Sequence, residues 1–365
     1  MLSKFAVKNY RGFAERIEWD LSHPSSYSFN AFAIKDSIVK NGIIYGPNGS
    51  GKSNLALAVF DIILHLTQKT KNPHQVDTIV NVLHPKKLVS FEYTFRFDKD
   101  IIEYYYSKGE SGLIEKEKVV LNGEMLFNLE NNILTIDTNE FPMPEENKRQ
   151  LANSSNKVSI LGYLWSVYPL ASNHPLIKMK EFVDAMLLFW NHEDRGFAGL
   201  YVGSSSIEEY IIANGLIKDF EEFLRTVSGQ EFKFKPGKVG DKQLICDMGN
   251  GVPFYKIRST GTSSLTLLYF WIQQISKASF IMIDEFDAFY HFDLAFKVCQ
   301  KLFAFSNQIF VTSHNTYLMT NDLLRPDCNF IIDKNRIKPL SLCIDKELRW
   351  GNNIEKMYRG NAFEV

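Results

Sequence analysis

One stretch decides the fold predicted for this chain: Gly46-Pro47-Asn48-Gly49-Ser50-Gly51-Lys52-Ser53. It fits the pattern G-x-x-x-x-G-K-[ST] at every fixed position. The segment before it, 38–45, is apolar and rich in β-branched residues, and the segment after it, 54–68, has apolar residues at helical spacing. The sequence therefore predicts a buried strand, a phosphate-binding loop and a helix. Backbone N–H groups of the loop and the helix N-terminus would bind phosphate.

The loop residues have distinct expected roles toward a nucleotide. Lys52 reaches the β- and γ-phosphates of ATP, and the Ser53 hydroxyl binds Mg²⁺. ATP and Mg²⁺ are thus the expected ligands. The residues expected to contact them here are Gly46, Asn48, Gly49, Ser50, Gly51, Lys52 and Ser53.

An acidic pair follows a second apolar segment, Phe280 to Ile283. Phosphoryl chemistry at a phosphate loop needs a metal-holding carboxylate on a neighbouring strand and a group that orients water. Asp284 is expected to hold Mg²⁺ together with Ser53, and Glu285 is expected to be the general base. The competing interpretation is an acidic pair that favours a helix N-terminus.

A histidine follows a third apolar segment, Ile309 to Val311. In the sequence Thr312-Ser313-His314 the imidazole is expected just past a strand end, where it would donate to the γ-phosphate. The alternative is an ordinary surface or core histidine. Lys52, Glu285 and His314 are therefore the predicted catalytic residues.

Composition excludes several classes of protein. The 365 residues are 45% hydrophobic, which excludes a disordered chain. Lys and Arg number 41 and Asp and Glu 42, a balance that argues against binding nucleic acid by bulk charge alone. Apolar runs are too short for a membrane span. The four cysteines form no C-x-x-C pair, and no signal peptide is seen, so a cytoplasmic protein is expected.

The pattern along the chain predicts an α/β fold with a mixed sheet. Residues 88–136 alternate and contain turn signals, which favours an antiparallel β meander. Residues 158–228 are helical in pattern, with the best helices over 176–190 and 207–227, and another helix is expected over 263–276. We therefore divide the chain into three parts: the N-terminal half of the main domain, or head, at 1–150, an inserted helical lobe at 151–255, and the C-terminal half of the head at 256–365.

Together these segments resemble the ABC-type ATPases of the SMC/RecF/OLD branch. Residues 46–53 resemble the Walker A motif and 280–285 the Walker B motif with its catalytic glutamate. Residues 287–291 resemble the D-loop, and 312–314 the switch histidine. The resemblance implies a P-loop NTPase head of ABC type that hydrolyses ATP.

Two weaker similarities concern the nucleotide. Ser259-Thr260-Gly261-Thr262 resembles the signature motif, in which Ser259 and Gly261 would touch the γ-phosphate held by the opposite subunit. Lys8 to Phe13 is similar to the N-terminal strand of SMC and RecF heads, whose arginine, here Arg11, reaches the nucleotide. The usual Leu-Ser-Gly-Gly-Gln form is missing, so a simple helix cap at Ser259 stays open. No Q-loop glutamine can be placed.

The resemblance also implies partners. Residues 324–327 and 355–360 resemble small bacterial OLD-like ATPases of phage-defence operons. This implies a homodimer or higher oligomer, joined through ATP, that controls a separate effector, a toxin or a nuclease. One alternative is a RecF-like DNA-repair or chromosome-maintenance ATPase with DNA as a partner, and the lysines available for phosphate contact are Lys233, Lys235, Lys238 and Lys242. A third hypothesis is a nucleotide-gated scaffold without turnover.

Overall fold

The structure, a computed structural model, describes residues 1–67, 79–154, 158–190, 197–200, 206–288, 290–334 and 336–364. Parts of the predicted segments lie outside these ranges: Gln68 at the end of the predicted helix 54–68, residues 191–196 and 201–205 of the segment 158–228, and Phe289 of the D-loop-like segment. Within these ranges, no helix is both long and apolar enough to cross a membrane.

The strands and α-helices are numbered in chain order. The strands are β1 (Leu2–Lys8), β2 (Ile17–Asp20), β3 (Ile34–Lys35), β4 (Ile38–Val39), β5 (Asn41–Tyr45), β6 (Val89–Phe97), β7 (Asp100–Lys108), β8 (Ile114–Leu121), β9 (Glu124–Glu130), β10 (Ile133–Ile136), β11 (Leu187–Trp190), β12 (Phe197–Gly199), β13 (Ile245–Cys246), β14 (Val252–Pro253), β15 (Phe280–Asp284), β16 (Gln308–Ser313), β17 (Asn329–Asp333) and β18 (Arg336–Pro339). The helices are α1 (Lys52–Val59), α2 (Asp61–Leu66), α3 (Glu145–Ser154), α4 (Ile160–Val167), α5 (Pro175–Asp184), α6 (Ile207–Ala213), α7 (Ile217–Ser228), α8 (Phe254–Ile257), α9 (Thr260–Gln274), α10 (Phe292–Phe303) and α11 (Ile354–Arg359).

A mixed sheet carries the phosphate loop. Its order is β12-β11-β15-β16-β5-β17-β18, with the five inner strands parallel and the two edge strands antiparallel. All residues of β5, β15 and β16 are buried, as expected for parallel strands covered on both faces. Strand β16 lies between β5 and β15, so the loop strand and the acidic strand are not direct neighbours. The carboxyl ends of all three strands meet at one edge of the sheet.

A second sheet is antiparallel and has the order β10-β9-β8-β7-β6-β1-β2. It confirms the meander predicted over 88–136 and adds the two N-terminal strands. One face of this sheet packs on helices α1 and α5: the Tyr93 hydroxyl donates to the Ala58 carbonyl at 3.0 Å, and the Phe95 ring packs edge-on against Phe182. Trp19 packs edge-on against Phe310 of the mixed sheet, with ring centroids 4.6 Å apart. Much of the aromatic content is therefore core packing between the two sheets.

The segment 176–190 was wrongly predicted as one helix. Helix α5 ends at Asp184, and residues 187–190 form β11, which pairs in parallel with β15. A short continuous apolar run fits a buried strand and a buried helix equally well, so the pattern alone did not distinguish them. The segment 207–227 is also two helices, α6 and α7, separated by a turn at Gly215 with φ +67°.

The predicted division at 150 and 255 stays a prediction. The mixed sheet takes β5 from the first segment, β11 and β12 from the middle segment, and the rest from the last. Helices α6 to α9, which come from both sides of the division at 255, pack around an aromatic cluster. In this cluster Phe220 contacts the rings of Phe254 and Tyr269. The α/β fold class with its mixed sheet, its meander and its largely helical insertion is confirmed.

A buried ion pair ties helix α2 to the antiparallel sheet. The Lys108 ammonium lies 2.6 Å from the Asp61 carboxylate, both side chains are buried, and the Tyr106 hydroxyl also donates to Asp61. Lys108→Met would leave the Asp61 charge buried without its partner, so we expect the free energy of unfolding to fall by about 3–5 kcal/mol. Urea unfolding followed by circular dichroism measures this loss.

Lys116→Met is the matched control for that variant. Lys116 pairs with Glu130 at 2.5 Å, but both side chains are nearly half exposed. Its removal should leave the free energy of unfolding nearly unchanged, because an exposed ion pair contributes little. Equal unfolding midpoints for the two variants would contradict a structural role for the Lys108–Asp61 pair.

Candidate functional site

The phosphate loop uses glycine where no side chain fits. A Cβ at Gly46 would stand 2.5 Å from the Ile332 carbonyl oxygen, and Gly51 has φ +107° with its Cβ position 2.6 Å from the Phe13 ring. Gly51 is also the N-cap of α1, so its backbone shape directs the first N–H groups of the helix. A strand precedes the loop and a helix follows it, as predicted, but the predicted strand 38–45 is divided into β4 and β5. The helix predicted over 54–68 is likewise divided into α1, which ends at Val59, and α2, which ends at Leu66.

Two buried side chains of the loop are suited to bind an anion. The Lys52 ammonium is buried and donates to the carbonyl oxygens of Gly46 at 2.8 Å and Pro47 at 3.2 Å. The Ser50 hydroxyl is buried and, among the described residues, has no hydrogen-bond partner. A buried hydroxyl without a partner costs free energy, which a phosphate oxygen would recover. These features fit a phosphate chain in the loop.

The acidic pair lies at the carboxyl end of β15. Asp284 is the last residue of the strand and is buried, and its Oδ1 accepts a hydrogen bond from the Thr312 hydroxyl at 2.6 Å. Glu285 follows with φ +48°. Asp287 accepts from the Ser313 hydroxyl at 2.7 Å, and burial raises the pKa of its carboxyl group. Strand β16 thus holds the acidic turn in place.

Electrostatic interactions join the three predicted catalytic residues. Burial lowers the pKa of Lys52, and the negative charges of Asp284, Glu285 and Asp287 oppose that shift. Burial also lowers the pKa of His314, with the Lys52 charge adding to the effect and the two carboxylates opposing it. Lys52, Glu285 and His314 therefore influence one another's charge at this edge of the sheet, and their catalytic roles stay predictions.

The donor set for a metal ion is small. Ser53 is in the first turn of α1, and Asp284 is at the end of β15. In the part of the chain that the structure describes, no group of three or more His, Cys, Asp or Glu residues is arranged around a metal position. A magnesium ion at a phosphate loop takes a hydroxyl and a carboxylate from the protein and its other oxygens from phosphate and water. Ser53 and Asp284 fit that requirement.

The turn that carries Arg11 packs on the phosphate loop. Tyr10 and Phe13 exchange backbone hydrogen bonds at 2.9 and 2.7 Å, and Phe13 covers Gly51. A Cβ at Gly12 would stand 2.9 Å from the Asn54 side-chain nitrogen of α1. The Arg11 Nε atom is buried and, counting described residues only, has no hydrogen-bond partner. Arg11 is thus near the loop, and its contact with a nucleotide stays a prediction.

Ser259 caps helix α9, which begins three residues earlier than predicted. Its hydroxyl accepts from the Thr262 N–H at 3.1 Å, and its side chain is exposed. Gly261 is in the first turn of this 15-residue helix. Ser259 is therefore a helix cap in the structure, as the alternative interpretation holds. It is compatible with a second role for Ser259 and Gly261 toward a nucleotide of another subunit, which stays a prediction.

Sequence reasoning missed Thr312 as a site residue. It noted only that Thr312 precedes His314, while the structure places its hydroxyl between the two acidic residues. Asp287 was named only as part of a motif. No local signal marks Thr312, because its partners are almost thirty residues away in the chain.

The chain is similar in sequence to one protein family and similar in fold to several solved structures. A family profile described as "AAA domain, putative AbiEii toxin, Type IV TA system" matches residues 43–320. A comparison with curated proteins finds no match. Among the solved structures that are similar are three SMC heads, each 14% identical in sequence to this chain.

These three structures match this chain over most of its length. The SMC head domain from Thermotoga maritima has a TM-score of 0.44 and covers 93% of this chain and 98% of its own. An SmcHead bound to the C-winged helix domain of ScpA has a TM-score of 0.49, with 92% and 96% covered. An Smc head with an extended coiled coil, bound to the C-terminal domain of ScpA derived from Pyrococcus furiosus, has a TM-score of 0.44, with 92% and 95% covered.

The family match covers more than half of the chain and includes the phosphate loop, the acidic strand and His314. The protein belongs to the family described as AAA domain, putative AbiEii toxin, Type IV TA system.

Proposed function

We propose that this protein is an ATP hydrolase whose active site lies at the carboxyl edge of the mixed sheet. The observation that carries the proposal is the convergence of Lys52, Asp284, Glu285 and His314 from three different strand ends onto one phosphate loop. No single one of these residues makes an ATPase, but their arrangement supplies phosphate binding, metal binding and a base together.

Each residue has one task in the proposed reaction. Lys52 binds the β- and γ-phosphates and draws negative charge toward the loop. Ser53 and Asp284 would hold Mg²⁺, which offsets phosphate charge when it is bound. Glu285 accepts a proton from the attacking water, and His314 donates a hydrogen bond to the γ-phosphate. Burial favours the neutral form of His314, so its imidazole donates through one N–H.

The proposed active form contains two copies of the chain. Ser259 and Gly261 lie at the exposed N-terminus of a 15-residue helix, and such a terminus attracts an anion. In the proposed dimer this terminus contacts the γ-phosphate bound by the other copy. ATP then stabilises the dimer because it binds both copies, and hydrolysis weakens the dimer.

The proposed biological role is regulation of a separate effector in an anti-phage defence system. Support comes from the family description, which names a toxin–antitoxin system, a class in which two gene products act together. Whether this chain holds its effector in the ATP-bound or the released state is part of the test. The RecF-like alternative, with DNA as partner, is a second outcome of the same test.

The test is affinity purification of the tagged chain, co-expressed with the product of its neighbouring gene. We expect the two proteins to elute together, with the amount of partner changing when ATP and Mg²⁺ are added. A Lys52→Ala chain should lose the nucleotide effect. If expression of this chain alone arrested growth, that would contradict a separate effector. If the chain bound duplex DNA in a salt-dependent way and retained no protein partner, that would favour the repair role.

A further inference from the structure

The backbone at Glu285 is in an unfavourable conformation. Its φ of +48° is in the left-handed region, which residues other than glycine rarely occupy. Such a conformation persists only where neighbouring groups enforce it, and it is often found at functional positions. The surrounding contacts therefore have to explain why Glu285 adopts it.

One hydroxyl contacts both Glu285 and the preceding residue, Asp284. The Thr312 side chain is fully buried, and its Oγ1 lies 2.8 Å from the Glu285 backbone nitrogen and 2.6 Å from Asp284 Oδ1. A backbone N–H can only donate, so Oγ1 accepts from Glu285. The single hydroxyl proton is then directed to the Asp284 carboxylate. The orientation of the hydroxyl is thus determined by its two partners.

Further contacts from β16 fix the rest of the turn. The Phe286 N–H donates to the Thr312 carbonyl oxygen at 3.3 Å, and the Ser313 hydroxyl donates to Asp287 at 2.7 Å. Thr312 is also paired in register with Ile44 on β5, two residues before the phosphate loop. The same residue therefore touches the acidic turn and the strand that enters the loop.

We propose that Thr312 is a positioning residue that sets the backbone of Glu285 and the carboxylate of Asp284 through its one hydroxyl. It holds the Glu285 backbone in the left-handed conformation and so directs the carboxylate of the base. By donating to Asp284 Oδ1, it also fixes the rotation of that carboxylate. The other carboxylate oxygen, Oδ2, takes no part in this hydrogen bond and is left for the proposed metal ion. This inference rests on the proposed ATPase function and adds a residue to it.

The test is Thr312→Val, which keeps the side-chain shape and removes the hydroxyl. We expect kcat for ATP hydrolysis to fall about 10- to 100-fold, the size of effect known for slight misplacement of a reacting group. The dissociation constant for a fluorescent ATP analogue should stay unchanged, because Lys52 and the loop are intact. Thr312→Ser keeps donor and acceptor and should recover most of the turnover.

A matched control separates this role from a general loss of a buried hydroxyl. Thr266 is equally buried, and its hydroxyl donates to the Thr262 carbonyl at 2.7 Å within α9. Thr266→Val should leave kcat and nucleotide binding as in the unmodified chain. If Thr312→Val does not fold, Thr312→Cys replaces it, because a thiol is a much weaker donor and acceptor.

The outcomes distinguish this inference from the proposed function. Unchanged kcat in Thr312→Val, or failure of Thr312→Ser to recover turnover, would overturn the positioning role in a chain that hydrolyses ATP. Parallel loss of ATP binding would also overturn it, because a change limited to the acidic turn leaves the loop in place. An unmodified chain without turnover, by contrast, would overturn the proposed function itself.

Discussion

Glu285→Gln is expected to arrest this protein as an ATP-bound dimer with ATP turnover reduced about 10²- to 10⁴-fold, the usual contribution of a general base. The substitution is nearly isosteric and removes only the ability to accept a proton. Lys52, Ser53 and Asp284 are untouched, so ATP and Mg²⁺ should still bind. Since hydrolysis is the step that would weaken the dimer, the arrested chain should accumulate in the dimeric form.

Phosphate release and light scattering after size exclusion measure the two parts of this result. Glu222→Gln is the matched control, because Glu222 is an exposed glutamate paired with Arg225 on α7. It should turn over ATP and return to monomer as the unmodified chain does. A Glu285→Gln chain that stays monomeric with ATP and Mg²⁺ would contradict the two-copy site, and full turnover would contradict the base assignment.

The phosphate loop and its flanking elements were predictable because their signals are local. The motif at 46–53, the apolar strand before it and the helical spacing after it lie within some thirty residues. Strands β15 and β16 were predictable for the same reason, as apolar runs that end in polar residues. Their common edge followed from the rule that parallel strands place their carboxyl ends together.

The features that the sequence predicts wrongly, or does not predict, depend on contacts between segments that are distant in the chain. Residues 187–190 form a strand because β15 offers them a partner, and nothing in the local run Leu-Leu-Phe-Trp selects a strand over a helix. The role of Thr312 depends on a fold that brings β16 beside the acidic turn. The proposed role of Ser259 needs a second copy of the chain, so it is visible neither in the sequence nor in one copy of the fold.

Lys52→Ala is expected to abolish detectable ATP binding. The buried Lys52 ammonium is the positive side chain within the loop itself, and hydrogen bonds to charged groups contribute about 1.5–3 kcal/mol each. Loss of two such bonds to phosphate oxygens corresponds to roughly a 10²- to 10⁴-fold weaker complex, at about 1.4 kcal/mol for each factor of ten. Isothermal titration with ATP and Mg²⁺ measures the change.

The control for this variant is a lysine at the other end of the same strand. Lys40 immediately precedes β5, is also buried, and donates to the Phe305 carbonyl at 2.7 Å. Lys40→Ala removes a similar buried ammonium and a similar bond to a carbonyl, but at the edge of the sheet away from the loop. It should lower thermal stability and leave the ATP affinity unchanged. Because both variants lose a buried lysine, a difference in ATP binding between them isolates the loop, and retained binding in Lys52→Ala would contradict the phosphate site.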